Sequence, residues 1–190
     1  LDFTIPEDIQ QLLKDLDDFI EREIKPLEQQ DDNIRFFDHR REWARTDFEN
    51  GGVPRKEWEE LLAEAKRRAD KAGFYRWALP KKYGGSDGTN LGMAIIREHL
   101  ATKGLGLHND LQNEHSIVGN FPFIKMWEAF GTEEQKKTFI EGTFTGEVRV
   151  AFGLTEPNHG SDASWLETTA VRDGDEWVIN GKKRFNSGLH

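Results

Sequence analysis

The hydrophobic period changes once along this chain, near Gly142, and that change limits the fold more than any other feature. Upstream, apolar residues recur every three or four positions between caps, glycines and prolines, as amphipathic helices require. Downstream, short alternating runs are separated by Asp, Asn and Gly, as antiparallel strands and hairpins require. The expected class is therefore α+β and multi-domain. An N-terminal all-α helical bundle over residues 1–145 is followed by an incomplete antiparallel β domain over 146–190. A length of 190 residues suits one domain and a part of another.

The helical half reads segment by segment. Thr4 and Glu7 have the spacing of a capping box. From there Ile9, Leu12, Leu13, Leu16, Phe19, Ile20 and Ile24 form one stripe, which Pro26 is expected to stop. Asp31 to Pro54 has no clean period and reads as a helical excursion plus linker. Trp58, Leu61, Leu62, Ala65, Ala69 and Ala72 share a face up to Gly73. Tyr83 to Gly88 is a glycine-rich loop. Further helices are expected from Asn90 to Lys103, over much of Leu107 to Gly119, and from Pro122 to Gly131. Thr132-Glu133-Glu134-Gln135 is a second capping box, opening a short helix to about Glu141.

Beyond Gly142, Val148, Val150 and Phe152 alternate as in a half-buried strand. A second strand is expected over Trp165 to Arg172, a turn at Asp173-Gly174-Asp175, and a third strand over Glu176 to Ile179. Asn180-Gly181 is a strong hairpin signal, with Lys182 to Ser187 as the returning strand.

Composition narrows the function. The net charge of -9 argues against nucleic-acid binding, which needs a clustered basic surface. Lys66-Arg67-Arg68 and Lys182-Lys183-Arg184 are the only basic triplets. Absence of cysteine excludes disulfides and thiolate metal sites and leaves the compartment open, whether mitochondrial, peroxisomal or bacterial cytoplasmic. No long apolar run or basic-then-apolar leader is visible, so neither a transmembrane segment nor a secretory signal is expected. The first residue is Leu1 rather than methionine, which leaves room for a segment upstream. A metal protein is the competing class. His99, His108 and His115 are spread along the helical half, but the Glu-x-x-His spacing of di-iron bundles occurs only at Glu156–His159, where Pro157 interrupts it. No metal site is expected.

The most informative stretch is Val150 to Asp162. Pro157 and Gly160 prevent the preceding strand from continuing, which frees main-chain groups from any ladder. Thr155, Ser161 and the N–H groups near Gly160 then gather donors on one bend able to hold a polar, partly anionic ligand. Glu156 and Asp162 resemble a catalytic pair. Their position suits local bracing of the loop better.

Leu154-Thr155-Glu156-Pro157-Asn158-His159-Gly160-Ser161-Asp162 resembles the flavin-loop signature of the acyl-CoA dehydrogenase family. Gly174 to Lys183 resembles that family's following hairpin. Leu79 to Gly85 and Phe130 to Lys137 are similar to landmarks of its helical domain. These four motifs stand in order and cover most of the chain after Glu57.

The resemblance implies a helical domain, a central β domain, and a C-terminal bundle that this chain lacks. It implies FAD as cofactor and an acyl-CoA substrate. The implied chemistry is an α,β-dehydrogenation in which a carboxylate takes the α-proton and a hydride passes from the β-carbon to flavin N5. It further implies that Leu154 and Thr155 hold the flavin's pyrimidine edge and that Phe185 covers the ring face. Ser187 approaches N5, and Gly160 and Ser161 approach the pyrophosphate and the acyl-CoA, with Phe152 lining the same cleft. The base is expected beyond His190. Other implied partners are an electron-accepting flavoprotein or other acceptor and a second copy of the chain, as homodimer or homotetramer. His159 stands where the family carries a small residue. Arg184 and Asn186 are polar where it is commonly apolar. A flavin oxidase or monooxygenase of the same fold, or a non-catalytic homologue, is the alternative reading.

Overall fold

The computed structural model describes residues 3–109, 116–145 and 147–186. The chain divides into two compact units, Leu1–Pro122 and Phe123–His190.

The first unit opens with α1 (Glu7–Phe19), a π-turn (Ile20–Ile24) and α2 (Lys25–Gln29). Thr4 is not the N-cap of α1. Pro6 is the N-cap, and Gln10 instead donates from its amide nitrogen and its side chain to the carbonyls of Pro6 and Ile5. Pro26 also fails to stop the stripe. The Lys25 N–H reaches five residues back to Ile20, so the ladder slips just ahead of the proline. Pro26 then enters as an early residue of the next turn, where no N–H is required. Ile20, Ile24 and Leu27 are all buried as a result.

The stretch with no clean period becomes a 3₁₀ turn (Asn33–Phe36), α3 (Arg41–Arg45) and a two-residue ladder of β1 (Thr46–Asp47) with β2 (Val53–Pro54). The ladder was not legible in sequence, because two paired residues have no period. Phe36 is fully buried and Trp58 nearly so, with ring centroids 5.2 Å apart, and the Arg45 guanidinium lies 4.2 Å over the Trp58 ring. This insertion is therefore pinned to α4 (Lys56–Lys71), whose buried face is Trp58, Leu61, Leu62, Ala65 and Ala69. Gly73, at φ 85°, ends α4, and the Phe74 N–H closes on the Ala69 carbonyl at 2.9 Å.

The loop after α4 folds around Trp77. The Trp77 carbonyl accepts from the N–H groups of Ser86 and Gly88, and the Leu79 carbonyl from that of Asp87. These cross-loop bonds satisfy main-chain groups that no helix or sheet serves. Close approach here requires glycine. A Cβ on Gly85 would stand 2.0 Å from the Leu79 carbonyl oxygen, and one on Gly92 would stand 2.5 Å from the Trp77 ring. Thr89 caps α5 (Asn90–Thr102) by accepting the Gly92 N–H at 3.0 Å. Asp17 of α1 bonds His99 at 2.7 Å and Lys103 at 2.8 Å, both on the C-terminal turn of α5 or just past it. Partial burial raises the Asp17 pKa, but the Lys103 and His99 bonds outweigh it and hold the carboxyl below its usual range. Residues 110–115 of the helix expected over Leu107–Gly119, with His115, lie outside the described residues. Its described ends are a turn and a bend, the first held by Glu28 accepting the Leu107 N–H at 2.7 Å.

The second unit contains α6 (Pro122–Phe130) and α7 (Glu133–Thr145). The Thr132 box forms reciprocally: the Thr132 hydroxyl accepts from the Gln135 N–H, and the Gln135 side chain accepts from the Thr132 N–H. Trp127 stacks on Phe139 at 4.5 Å and joins the two helices. Helix α7 runs through Gly142 to Thr145. The helical period thus persists past the expected change, because Gly142 lets Val148 close against it with a Val148 N–H to Gly142 carbonyl bond of 2.9 Å.

The hairpin pairs β3 (Thr169–Asp173) with β4 (Glu176–Asn180), antiparallel from Asp173↔Glu176 to Thr169↔Asn180. Gly174 has φ 60° and Asp175 is not in the positive-φ region, the pattern of a type II′ turn with glycine first. The strand expected over Val148–Phe152 and the returning strand over Lys182–Ser187 are not formed among the described residues. Between residues 150–156 and 181–186 the main chain makes one hydrogen bond, Arg184 N–H to the Thr155 carbonyl, and one bond does not propagate a ladder. We expect Gly85→Ala to destabilise the protein by about 1–3 kcal/mol, since the new methyl meets backbone that cannot rotate away. Urea denaturation monitored by tryptophan fluorescence measures it, and an unchanged midpoint contradicts the packing account.

Candidate functional site

The bend at residues 154–168 is organised by one carboxylate. Glu156 is 3% exposed. Its Oε2 accepts the Glu167 N–H at 2.6 Å, and its Oε1 accepts the Thr168 N–H at 3.0 Å and the Lys183 ammonium at 2.8 Å. The main chain of Glu156 and His159 is clipped by two reciprocal N–H to carbonyl bonds, of 3.0 and 3.2 Å. Pro157 and Asn158 therefore sit on a short closed turn, as the proline in the sequence requires. The Lys183 hydrogen bond, with those from Thr168 and the Glu167 main chain, holds the Glu156 carboxyl at about 2, well below its ordinary 4.5.

The other polar residues of the bend are also engaged. Asp162 accepts from the Ser164 N–H and hydroxyl, which hold its carboxyl below the usual range. Asn158 donates to Glu167 at 2.9 Å. His159 is mostly enclosed, with its ring 4.6 Å from Trp165 and its Nε2 3.6 Å from a Glu167 oxygen. It is thus a packed residue of the loop rather than a solvated one. Asp162 braces the loop by local bonds, as expected, whereas Glu156 braces it through partners 11, 12 and 27 residues away.

Thr155 is bracketed by this framework. Lys183 also donates to the Leu154 carbonyl at 3.1 Å, and the Arg184 N–H donates to the Thr155 carbonyl at 2.8 Å. The carbonyls of both residues are committed, whereas the Leu154 N–H and the Thr155 hydroxyl make no hydrogen bond to a described residue. These are the donors that the sequence assigned to a flavin edge, and their chemistry fits such an acceptor.

Gly160 has no atom of the chain within 4 Å of where a Cβ would stand, so internal packing does not demand glycine there. Ser161 is exposed beside it. Phe152 is 62% exposed with its ring 6.1 Å from Phe123, which corrects the expectation of a half-buried strand residue. Phe185 is 85% exposed and adopts φ 59°, a conformation that costs an aromatic residue on the order of 1 kcal/mol or more. Ser187 lies outside the described residues. Lys183 was visible in sequence only as the middle of a basic triplet. Nothing local distinguished it from Lys182 and Arg184, because the pairing that aims it at Glu156 is tertiary. A shallow cleft of about 360 Å³ lies beside the bend, walled by Pro157, Asn158, Glu167, Lys182 and Arg184 among others. Among the described residues no group of three or more His, Cys, Asp or Glu could hold a metal ion, and no helix is long and apolar enough to cross a membrane.

Comparison with known proteins shows the family. Residues 6–147 match "Acyl-CoA dehydrogenase, N-terminal domain", and residues 151–188 match "Acyl-CoA dehydrogenase, middle domain". The chain belongs to the acyl-CoA dehydrogenase family. It is 38% identical over 130 residues to acyl-CoA dehydrogenase FadE12 of Mycobacterium tuberculosis, covering 68% of this chain and 31% of that protein. It is 37% identical over 115 residues to the caffeyl-CoA reductase-Etf complex subunit CarC of Acetobacterium woodii, covering 60% of this chain and 29% of that one. The crystal structure of acyl-CoA dehydrogenase from Geobacillus kaustophilus superposes with a TM-score of 0.54 at 27% identity, over 98% of this chain and 41% of that one. The chain spans about a third of the length of these curated relatives.

The depressed Glu156 pKa has a signed consequence. The stabilisation it provides is complete above pH 4.5 and is lost as pH falls through about 2. The Glu167 and Thr168 amide resonances are expected to titrate with a midpoint near 2, and a midpoint near 4.5 in an NMR pH series contradicts the buried pairing.

Proposed function

We propose that this chain supplies the helical domain, over residues 1–145, and the opening of the flavin-binding β domain, over 146–190, of an FAD-dependent oxidoreductase. The proposed reaction introduces an α,β double bond into an acyl-CoA thioester. The two family matches, which meet between residues 147 and 151, support this division. The observation that carries the reading is the state of residues 154 and 155. Their carbonyls are tied down, while the Leu154 N–H and the Thr155 hydroxyl are left to a ligand.

FAD, when bound, supplies the hydride acceptor. The part assigned to this chain is orientation and charge stabilisation. A main-chain N–H and a hydroxyl held in advance at the edge of an acceptor ring stabilise the negative charge it gains, with no reorganisation at the moment of reaction. Phe185 is assigned to the ring face and Ser187 to N5. Gly160 and Ser161 are assigned to the pyrophosphate and acyl-CoA side, where the open space beside Gly160 allows close backbone approach. Phe152 is assigned to the same cleft. The α-proton acceptor is assigned to a carboxylate outside these residues; Glu156 is buried in its bonds to Lys183 and the main chain, and Asp162 is bonded to Ser164. We assign electron delivery to a partner flavoprotein or other acceptor. A relative named as part of an Etf complex supports that choice. We also assign homodimer or homotetramer assembly and a role in fatty-acid metabolism, by resemblance to the family.

The full-length protein is expected to copurify with flavin, seen in its visible absorbance. Acyl-CoA should bleach that band, with enoyl-CoA formed only when an electron acceptor is added. Oxygen consumption without an acceptor points instead to an oxidase or monooxygenase, and absence of flavin binding to a non-catalytic homologue. Thr155→Ala and Ser187→Ala should each weaken FAD binding about fivefold, the effect of roughly one hydrogen bond. Unchanged affinity together with an unchanged reduction rate removes those assignments.

A further inference from the structure

The side chain of Lys183 reaches from the segment that carries Phe185 to the one that carries Leu154 and Thr155. It stands two residues before Phe185 and four before Ser187. Its ammonium donates to the Leu154 carbonyl at 3.1 Å and to the Glu156 carboxylate at 2.8 Å, so it grips the residues on either side of Thr155. The neighbouring Arg184 N–H donates to the Thr155 carbonyl at 2.8 Å. Glu156, in turn, takes the Glu167 and Thr168 N–H groups at the entry to β3. Three stretches of chain, distant in sequence, therefore meet at one ion pair whose carboxylate is 1% exposed and whose lysine is 24% exposed. Apart from the Arg184 bond, no ladder joins residues 150–156 to 181–186.

We propose that Lys183 is a positioning residue for the flavin site. With Glu156 as its partner, it sets the distance between the Leu154–Thr155 donors and Phe185. The inference rests on the flavin reading above. Its physical basis is that a charge-assisted hydrogen bond to a buried carboxylate tolerates little displacement. Removing one partner leaves the other enclosed and unpaired. A ladder would hold the two segments in register by many weak bonds. Here one ammonium with three donors, two of them in use, does so together with the Arg184 main-chain bond. Lys182, the adjacent lysine, makes no hydrogen bond or ion pair to a described residue and serves as the internal control.

The test compares Lys183→Met, Lys183→Arg and Lys182→Met in the full-length protein, by FAD titration with fluorescence detection and by amide hydrogen exchange. Lys183→Met keeps the aliphatic stem and should weaken FAD binding about tenfold or more, equivalent to the loss of one charged hydrogen bond. It should speed exchange at the Arg184 and Thr168 amides while leaving the amides of Val171 and Val178 in the hairpin unchanged. Lys183→Arg should restore most of the affinity, and Lys182→Met should match the unsubstituted protein. Uniformly faster exchange with no rescue by arginine means a general stability role and overturns the proposal. So does FAD affinity within twofold of the unsubstituted protein in Lys183→Met. Absence of FAD binding by the unsubstituted protein overturns the flavin reading itself, and amide exchange in Lys183→Met then still shows whether the clamp holds the loop.

Discussion

Main-chain groups left without a ladder govern this protein wherever a helix or strand ends. A buried N–H or carbonyl without a partner costs about as much as a lost hydrogen bond, and the chain meets that cost in two ways. In the first unit the answer is cross-loop bonding. The carbonyls of Trp77 and Leu79 collect the N–H groups of residues 86 to 88, and glycine at 85 and 92 lets backbone and indole approach that closely. In the second unit the answer is a side chain. Glu156 reaches the N–H groups of Glu167 and Thr168, which no strand serves, and its own charge is met by Lys183.

That second solution decides what the loop can do. A carboxylate taken out of water would ordinarily have its pKa raised, yet one ammonium and the surrounding hydrogen bonds more than offset the desolvation and drive it down. A group so held is a poor proton acceptor and a good brace. Lys183 also occupies the Leu154 carbonyl and the adjacent Arg184 N–H that of Thr155, while the N–H of the first and the hydroxyl of the second make no hydrogen bond to a described residue. Bracing of the bend and occupation of the Leu154 carbonyl are thus two results of one lysine.

Sequence reading succeeded where the signal is local and repeated. The buried face of α4 is the stripe of Trp58, Leu61, Leu62, Ala65 and Ala69. The Thr132–Gln135 box closes on itself within four residues, and Gly174 sits in the tight turn that its backbone freedom favours. It failed where a local signal had a tertiary competitor. Pro26 did not end its helix, because a π-turn ahead of it kept Ile24 and Leu27 in the core. Thr4 lost its capping role to Pro6, and Gly142 did not end α7, because Val148 packs against it. Alternation at Val148, Val150 and Phe152 indicated a strand that does not form among the described residues. Alternation specifies a face, and only a paired neighbour makes a ladder.

By itself, the sequence determined the family, the order of helical and β-rich halves, and the bend at Thr155–Asp162. Each depends on residue type and short-range spacing. It also assigned Glu156 and Asp162 to bracing, because Pro157 and the short polar residues around them favour local hydrogen bonds. Tertiary structure alone decided which cation meets Glu156. Three basic residues stand in a row at 182–184, and it is the middle one that meets the Glu156 carboxylate, beside the backbone bond from Arg184 to Thr155. The physical reason is distance along the chain: Lys183 and Glu156 are 27 residues apart, and no periodicity or propensity carries information over that separation.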